Sequence, residues 1–143
     1  MKISTRGRYA LRLMMDVALA ESDAPVRIKD IAGRQGISEK YLEQIVSVLN
    51  KAGLVRSSRG PLGGYRLTRA PEEYTAHEIV SSIEGNLVPV ACLETETNEC
   101  PRHHVCATLR LWEKVNAAVQ SVMESVTLAD LVSWQKELDT NKE

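Results

Sequence analysis

The sequence predicts a mainly α-helical protein with a small β-hairpin wing: a winged helix-turn-helix followed by a long C-terminal helix. Three observations support this fold class. Apolar residues recur with helical spacing through the first 52 residues, and two short strand-like segments follow around the glycine-rich turn RGPLGG. A regular apolar repeat then returns after a non-periodic stretch. The chain therefore divides into three regions, at residues 1–84, 85–106 and 107–143.

The first region contains the predicted helices of the helix-turn-helix. They are expected at residues 5–20, 28–35, 39–52 and 75–84. A turn at residues 22–25 separates the first two helices. Gly36 ends the second helix at a position suited to a left-handed residue, and Ser38 caps the third. The third helix has an apolar face with spacing i, i+3, i+4, i+7, formed by Leu42, Ile45, Val46 and Leu49.

The predicted wing consists of strands at residues 54–57 and 64–68. Its strands are too short to be stable alone, so the hairpin is expected to pack on the helices. The glycines allow close backbone approach, and Arg59 lies near the tip, where it could enter a DNA minor groove. A plain surface turn is the alternative interpretation.

The charge of the chain is distributed unevenly. Residues 1–70 contain 13 Lys and Arg against 6 Asp and Glu, whereas residues 71–143 contain 5 against 13. A basic first half favours a polyanionic partner, because Lys and Arg release counterions from phosphates. The acidic second half is expected to face away from DNA. A solvated surface with no partner is the alternative.

The third helix has the polar face that a major-groove reader needs. With its apolar stripe turned inward, the residues on the outward face are Glu39, Lys40, Glu43, Gln44 and Ser47. Gln can bond bidentately to adenine, Glu can accept from a cytosine amino group, and Lys can reach guanine or a phosphate. For this helix alone, an ordinary amphipathic surface explains the pattern equally well.

Two long stretches resemble the Rrf2 family of bacterial winged-helix regulators, which includes the iron–sulfur cluster regulators. They are KISTRGRYALRLMMDVAL and DIAGRQGISEKYLEQIVSVLNKAGLVRSSRGPLGGYRL, and the resemblance extends to the late TLADLV, covering about residues 1–132. It implies a homodimer that binds palindromic, double-stranded operator DNA and represses transcription. The family's described DNA contacts fall here on Lys40, Tyr41, Glu43, Gln44 and Arg59. The family often has Ser where Lys40 stands, so the operator preference is expected to differ.

Three cysteines cluster between residues 92 and 106. Cys92, Cys100 and Cys106 are an odd number in a short span, which argues against a disulfide framework. Their spacing allows an iron–sulfur cluster, a zinc site completed by a histidine, or metal-free thiols; it fits structural zinc poorly. The family resemblance implies that they are the ligands of an iron–sulfur cluster, of the 2Fe–2S or 4Fe–4S type.

The sequence leaves several candidates for the fourth ligand of such a cluster. Relatives use positions that here hold Leu109 or Arg8, and neither side chain can ligate iron. The remaining candidates are His103, His104, Glu99 or a small exogenous ligand. A weak fourth ligand would make the cluster labile, which suits a sensor of iron, oxygen or nitric oxide.

The C-terminal region is predicted to form the dimer. A helix at residues 107–125 continues an apolar seam formed by Trp112, Val115, Val119, Val122 and Val126. TLADLV predicts a separate short helix at residues 127–132, and the polar tail from Lys136 is expected to fray.

The sequence also excludes several classes of protein. It has no phosphate loop, because RGPLGG lacks the Lys-Ser/Thr pair, and no nucleophile motif, so the chain is not expected to be an enzyme. Arg12 and Asp16 interrupt the apolar N-terminus, which argues against a signal peptide. The expectation is a cytoplasmic protein that does not associate with membranes.

Overall fold

The computed structural model describes residues 1–20 and 23–142, and it confirms the predicted fold class. The helices are α1 Thr5–Leu19, α2 Ile28–Gln35, α3 Glu39–Lys51, α4 Ala76–Glu84, α5 Ala107–Ser125 and α6 Leu128–Thr140. The strands β1 Val55–Ser58 and β2 Gly64–Leu67 form an antiparallel hairpin. Single 3₁₀ turns occur at Pro71–Glu73, Ala91–Leu93 and His103–Val105. The predicted turn at residues 22–25 begins outside the described residues.

Hydroxyl caps fix the starts of four helices. The Ser4 hydroxyl accepts a hydrogen bond from the Gly7 amide at 3.2 Å, and the Ser38 hydroxyl accepts one from the Tyr41 amide at 3.2 Å. Thr75 and Thr127 cap α4 and α6 in the same way. Each bond satisfies an amide that has no partner within its helix.

A single aliphatic core lies beneath α1, α3 and α4. Its largest fully buried side chains are Tyr74, Leu13, Met14, Ile31, Leu42, Ile45, Leu49, Ile79 and Leu128. Because the chain contains no Phe, branched aliphatic residues fill this space. The predicted apolar stripe of α3 is confirmed, since all four of its members are buried here.

The hairpin is fixed to the helical body at two places. The outer edge of β2 pairs with Val26, whose amide and carbonyl each form a 2.8 Å hydrogen bond with Tyr65. At the base, the buried Tyr74 hydroxyl donates to the Leu54 carbonyl at 2.7 Å and accepts from the Thr68 amide at 2.9 Å. These contacts set the direction in which the wing projects.

Helix α6 is longer than the sequence predicted. It continues to Thr140, through the tail that was expected to fray from Lys136. The Thr127 and Asp130 side chains form reciprocal capping bonds at its start, and Leu128 is fully buried. Packing of the first turn against the core thus stabilises α6, although its polar C-terminal residues gave no sequence signal for a helix.

The described residues contain no helix that is both long enough and apolar enough to cross a membrane.

Candidate nucleic-acid interface and cysteine segment

Helix α3 presents its polar face to solvent. The side chains of Glu39, Lys40, Glu43, Gln44 and Ser47 are all exposed. The opposite face is buried, so the helix is held rigidly while its polar side stays free. An exposed, polar helix face next to a turn has the geometry required to enter a major groove.

Tyr41 differs from the other α3 residues that the family resemblance singled out. It is only partly exposed, and its ring packs edge-on against Tyr9 of α1, with ring centroids 5.7 Å apart. The Arg12 guanidinium lies 5.2 Å from the Tyr9 ring centroid. Part of the Tyr41 side chain therefore connects α3 to α1, beside the exposed reading face.

The tip of the hairpin is a tight turn. The Gly63 amide donates to the Gly60 carbonyl at 2.9 Å, which puts Pro61 and Leu62 in the two central positions. A Cβ atom at Gly63 would lie 2.3 Å from the Ser58 carbonyl oxygen, so only glycine fits there. The turn leaves Arg59 exposed, as the sequence predicted, at the end of the wing.

Two arginines of the hairpin were not predicted as site residues from the sequence. Arg56 and Arg66 occupy directly opposite positions in the strand register. Arg56 is exposed, whereas Arg66 is partly buried and its Nε atom is buried without a hydrogen-bond partner. Their positions side by side follow from the strand register, which no local sequence pattern determines.

The three cysteines lie along the segment between α4 and α5. Cys92 is exposed in a 3₁₀ turn, and Cys100 is partly buried, with its amide donating to the Asn98 side chain at 2.9 Å. Cys106 is the residue that precedes α5. Within residues 1–20 and 23–142, no three His, Cys, Asp or Glu side chains are gathered in a metal-binding arrangement. The structure therefore does not bring the three predicted ligands together.

Cys106 has a distinct electrostatic environment. Its Sγ atom lies 3.2 Å from the Thr108 hydroxyl. That hydrogen bond, followed by contacts with the amides at the start of α5, holds the pKa of the Cys106 thiol below its ordinary value. A lowered pKa increases the thiolate fraction, and the thiolate is the form that reacts or binds metal.

The candidates for a fourth ligand lie on the surface, and the His103 and His104 ring centroids are 5.4 Å apart. Glu99, His103 and His104 are exposed, and the His103 Nδ1 atom lies 2.8 Å from the Cys100 carbonyl oxygen. Leu109 is buried, in agreement with a packing role. Arg8 on α1 is exposed, with its guanidinium donating to the Thr5 hydroxyl at 2.9 Å.

Comparisons with known proteins identify close relatives over nearly the whole chain. The Rrf2 family model, described as an iron-dependent transcriptional regulator, matches residues 3–133. Protein rrf2 of Nitratidesulfovibrio vulgaris is 44% identical over 132 residues, which cover 92% of this chain and 87% of that protein. The transcriptional regulator IscR of Aliivibrio salmonicida is 40% identical over 132 residues, covering 92% and 77%.

Solved structures agree with these relatives in fold. CymR of Bacillus subtilis, titled the global cysteine regulator, superimposes with a TM-score of 0.79 at 42% identity, covering 94% of this chain and 98% of that one. An oxidized form of Staphylococcus aureus CymR gives a TM-score of 0.72 at 39% identity, covering 92% and 96%.

Proposed function

The chain belongs to the Rrf2 family of transcriptional regulators, and we propose that it is a homodimeric repressor whose operator binding is gated by an iron–sulfur cluster. Like its relatives, it is a DNA-binding transcription regulator and not an enzyme. The dimer, the cluster and the roles of individual residues are our proposal. Such a regulator acts in the cytoplasm, where bacterial DNA lies.

The exposed face of α3 and the wing carry the proposed operator contacts. Glu43 and Gln44 lie on the first turns of α3, opposite the buried stripe, and are free to meet base edges. Lys40 and Tyr41 adjoin them, and Arg59 extends from the wing turn toward the adjacent minor groove. The single observation that best supports this assignment is that the buried apolar face of α3 fixes the helix while its polar face stays exposed to solvent.

Helix α5 supports the proposed dimer. Leu111 is 51% exposed and Val122 is 61% exposed, so α5 presents large apolar side chains to solvent. Val119, Val122 and Met123 border an apolar depression of about 300 Å³. A second copy of α5, placed along this seam, would remove these side chains from water.

The donor chemistry of the cysteine segment fits an iron–sulfur cluster. Three thiols lie within fifteen residues, and thiolates are the usual cluster ligands. The family's description as iron-dependent agrees with this choice. Because Cys92, Cys100 and Cys106 stand apart in this structure, we propose that they ligate only after the segment at residues 85–106 rearranges. Bound iron would supply sensitivity to iron supply and to oxidants.

The chain connects the cysteine segment directly to α5, the helix of the proposed dimer. Cys106 immediately precedes α5, so a change in the position of the segment moves the first turn of that helix. Helix α5 packs against α4, which belongs to the DNA-binding region. Two dimer arrangements that differ in the separation of their α3 helices would fit an operator unequally.

A second mechanism is gating by thiol oxidation without a metal. The lowered pKa of Cys106 favours it, as does the existence of an oxidized form of a relative, CymR of Staphylococcus aureus. Under this mechanism the same three thiols would sense oxidants directly. The two mechanisms share the DNA-binding surface and differ in whether iron is present.

An anaerobic preparation distinguishes the two mechanisms. We expect the wild-type protein to be brown and to contain iron and sulfide, and Cys92→Ala, Cys100→Ala and Cys106→Ala each to lose them. Folding should persist, because none of the three thiols lies in the core. Thr97→Ala, in the same segment, serves as a matched control that retains iron. A colourless, iron-free wild-type protein would favour thiol oxidation and contradict the cluster.

A further inference from the structure

Two arginines face each other across the wing, and the hairpin itself supplies no counter-charge. Arg56 of β1 and Arg66 of β2 are directly paired in the antiparallel register, so their side chains leave the hairpin on the same side. The hairpin from Val55 to Leu67 contains three arginines and no acidic residue. Among the described residues, neither Arg56 nor Arg66 forms an ion pair.

This arrangement is unfavourable in the protein alone. Like charges directly opposite on adjacent strands repel each other. The Arg66 Nε atom is in addition buried without an acceptor, and an unpaired buried donor loses its water without compensation. An anion placed between the two guanidinium groups would relieve the repulsion, and it could accept from the Arg66 Nε atom only if that side chain turned outward.

We propose that Arg56 and Arg66 form a phosphate-binding pair that grips the DNA backbone beside the wing. The inference rests on the proposed DNA-binding function and adds two contacts to it. Guanidinium groups match phosphate oxygens through paired hydrogen bonds, which favours a phosphate over a simple halide counterion.

The position of the pair on the hairpin indicates double-stranded DNA as the source of the phosphate. Arg59 lies three residues beyond Arg56, at the exposed turn. When the tip meets a minor groove, the strands that support it run beside the sugar–phosphate backbone. The pair would thus contribute affinity and register but no sequence preference, in contrast to Gln44.

The test measures how DNA affinity depends on salt. Fluorescence anisotropy with a labelled duplex of about 30 base pairs, of mixed sequence, compares Arg56→Gln, Arg66→Gln and the double variant between about 50 and 200 mM salt. Each lost phosphate contact should lower the slope of log affinity against log salt by about 0.9, so that the double variant loses up to about two units. The affinity ratio between these two salt concentrations then shrinks about 3.5-fold per contact.

Two controls separate phosphate binding from a structural role. Replacing both arginines with Lys keeps the charges, so most of the slope should remain. Lys114→Gln removes one exposed charge from α5, away from the wing, and should leave the slope unchanged. Without DNA, Arg56→Gln should melt at the same or a higher temperature than the wild type, because repulsion is removed.

The outcomes distinguish this inference from the proposed function. A wild-type protein that binds no duplex contradicts the proposed function, and this inference with it. A wild-type protein that binds, together with a folded double variant of unchanged slope, contradicts the phosphate pair alone. A slope that falls equally for the Gln and Lys double variants also contradicts it, because charge would then not be the cause.

Discussion

The Nη2 atom of Arg34 in α2 lies 2.7 Å from the Oδ1 atom of Asp16 in α1. Asp16 is only 3% exposed, and it also accepts a hydrogen bond from the Gln35 side chain at 2.9 Å. Gln35 in turn accepts from Arg12 at 3.0 Å. This network fixes α2 against α1, and α2 leads through Gly36 into α3. A buried carboxylate therefore contributes to the position of the reading helix, beside the apolar contacts of α3 with α1 and α4.

The first prediction concerns Asp16. Asp16→Asn should lower the free energy of unfolding by about 1–3 kcal/mol, because the network loses its negative charge and one of its two acceptor oxygens, and the NH₂ group in its place faces the donors of Arg34 and Gln35. Urea unfolding measures the change. Asp30→Asn removes the acid of an exposed pair with Arg27 and should leave the midpoint unchanged. Equal effects of the two variants would contradict the role assigned to Asp16.

The second prediction compares two glycines. At Gly63 an added Cβ would collide with the Ser58 carbonyl, whereas at Gly33 in α2 it would meet nothing within 4 Å. Gly63→Ala should therefore distort the wing turn and weaken DNA binding. Gly33→Ala should raise stability by about 0.5–1 kcal/mol, since Ala favours helix. Thermal melting and a DNA-binding assay check both, and normal DNA affinity of Gly63→Ala would show that the turn can move aside.

The third prediction concerns the proposed dimer. Val122→Glu places a charge in the apolar seam of α5, and because Val122 is 61% exposed the monomer fold should tolerate it. Light scattering after size exclusion should give a dimer for the wild type and a monomer for the variant. Ser121→Glu introduces the same charge at an exposed position outside the apolar depression and should remain dimeric. A monomeric wild-type protein would refute the assignment of α5.

The fourth prediction follows from the lowered pKa of Cys106. In the metal-free protein, its thiolate should persist to lower pH than an ordinary thiol, so its alkylation by iodoacetamide should begin at lower pH. Thr108→Val removes the hydroxyl hydrogen bond, which is the largest cause of the lowered pKa. Alkylation of Cys106 should then begin at higher pH than in the wild type. Mass spectrometry follows each cysteine separately. An unchanged profile in Thr108→Val would contradict this explanation.

Much of the fold followed from local sequence signals. Gly36 predicted the end of α2 and Ser38 predicted the start of the reading helix α3, because capping chemistry acts within a few residues. The length of α6 was missed, because the polar residues from Lys136 were interpreted as a frayed tail, whereas they continue the helix to Thr140. The exposed positions of α3 were predictable from periodicity, but the contact of Tyr41 with Tyr9 was not.

The placement of the three cysteines could not be predicted, for a different reason. Its residues lack periodicity, so neither the spacing of Cys92, Cys100 and Cys106 nor their residue type determines where the chain places them. The Arg56 and Arg66 pair was also missed, because it appears only once the strand register is known. Both features depend on chain geometry beyond the reach of local patterns.

A comparison of Gln44→Ala with Arg59→Ala tests whether α3 recognises the DNA sequence. An operator selected from a random duplex pool by the wild-type protein is compared with its scrambled version at two salt concentrations. Gln44→Ala should cost about 1–3 kcal/mol on the operator and little on the scrambled duplex, since a base contact is lost. Arg59→Ala should weaken binding to both duplexes. Equal losses on both duplexes for Gln44→Ala would mean that α3 holds only the backbone, and would contradict its assignment as the reading helix.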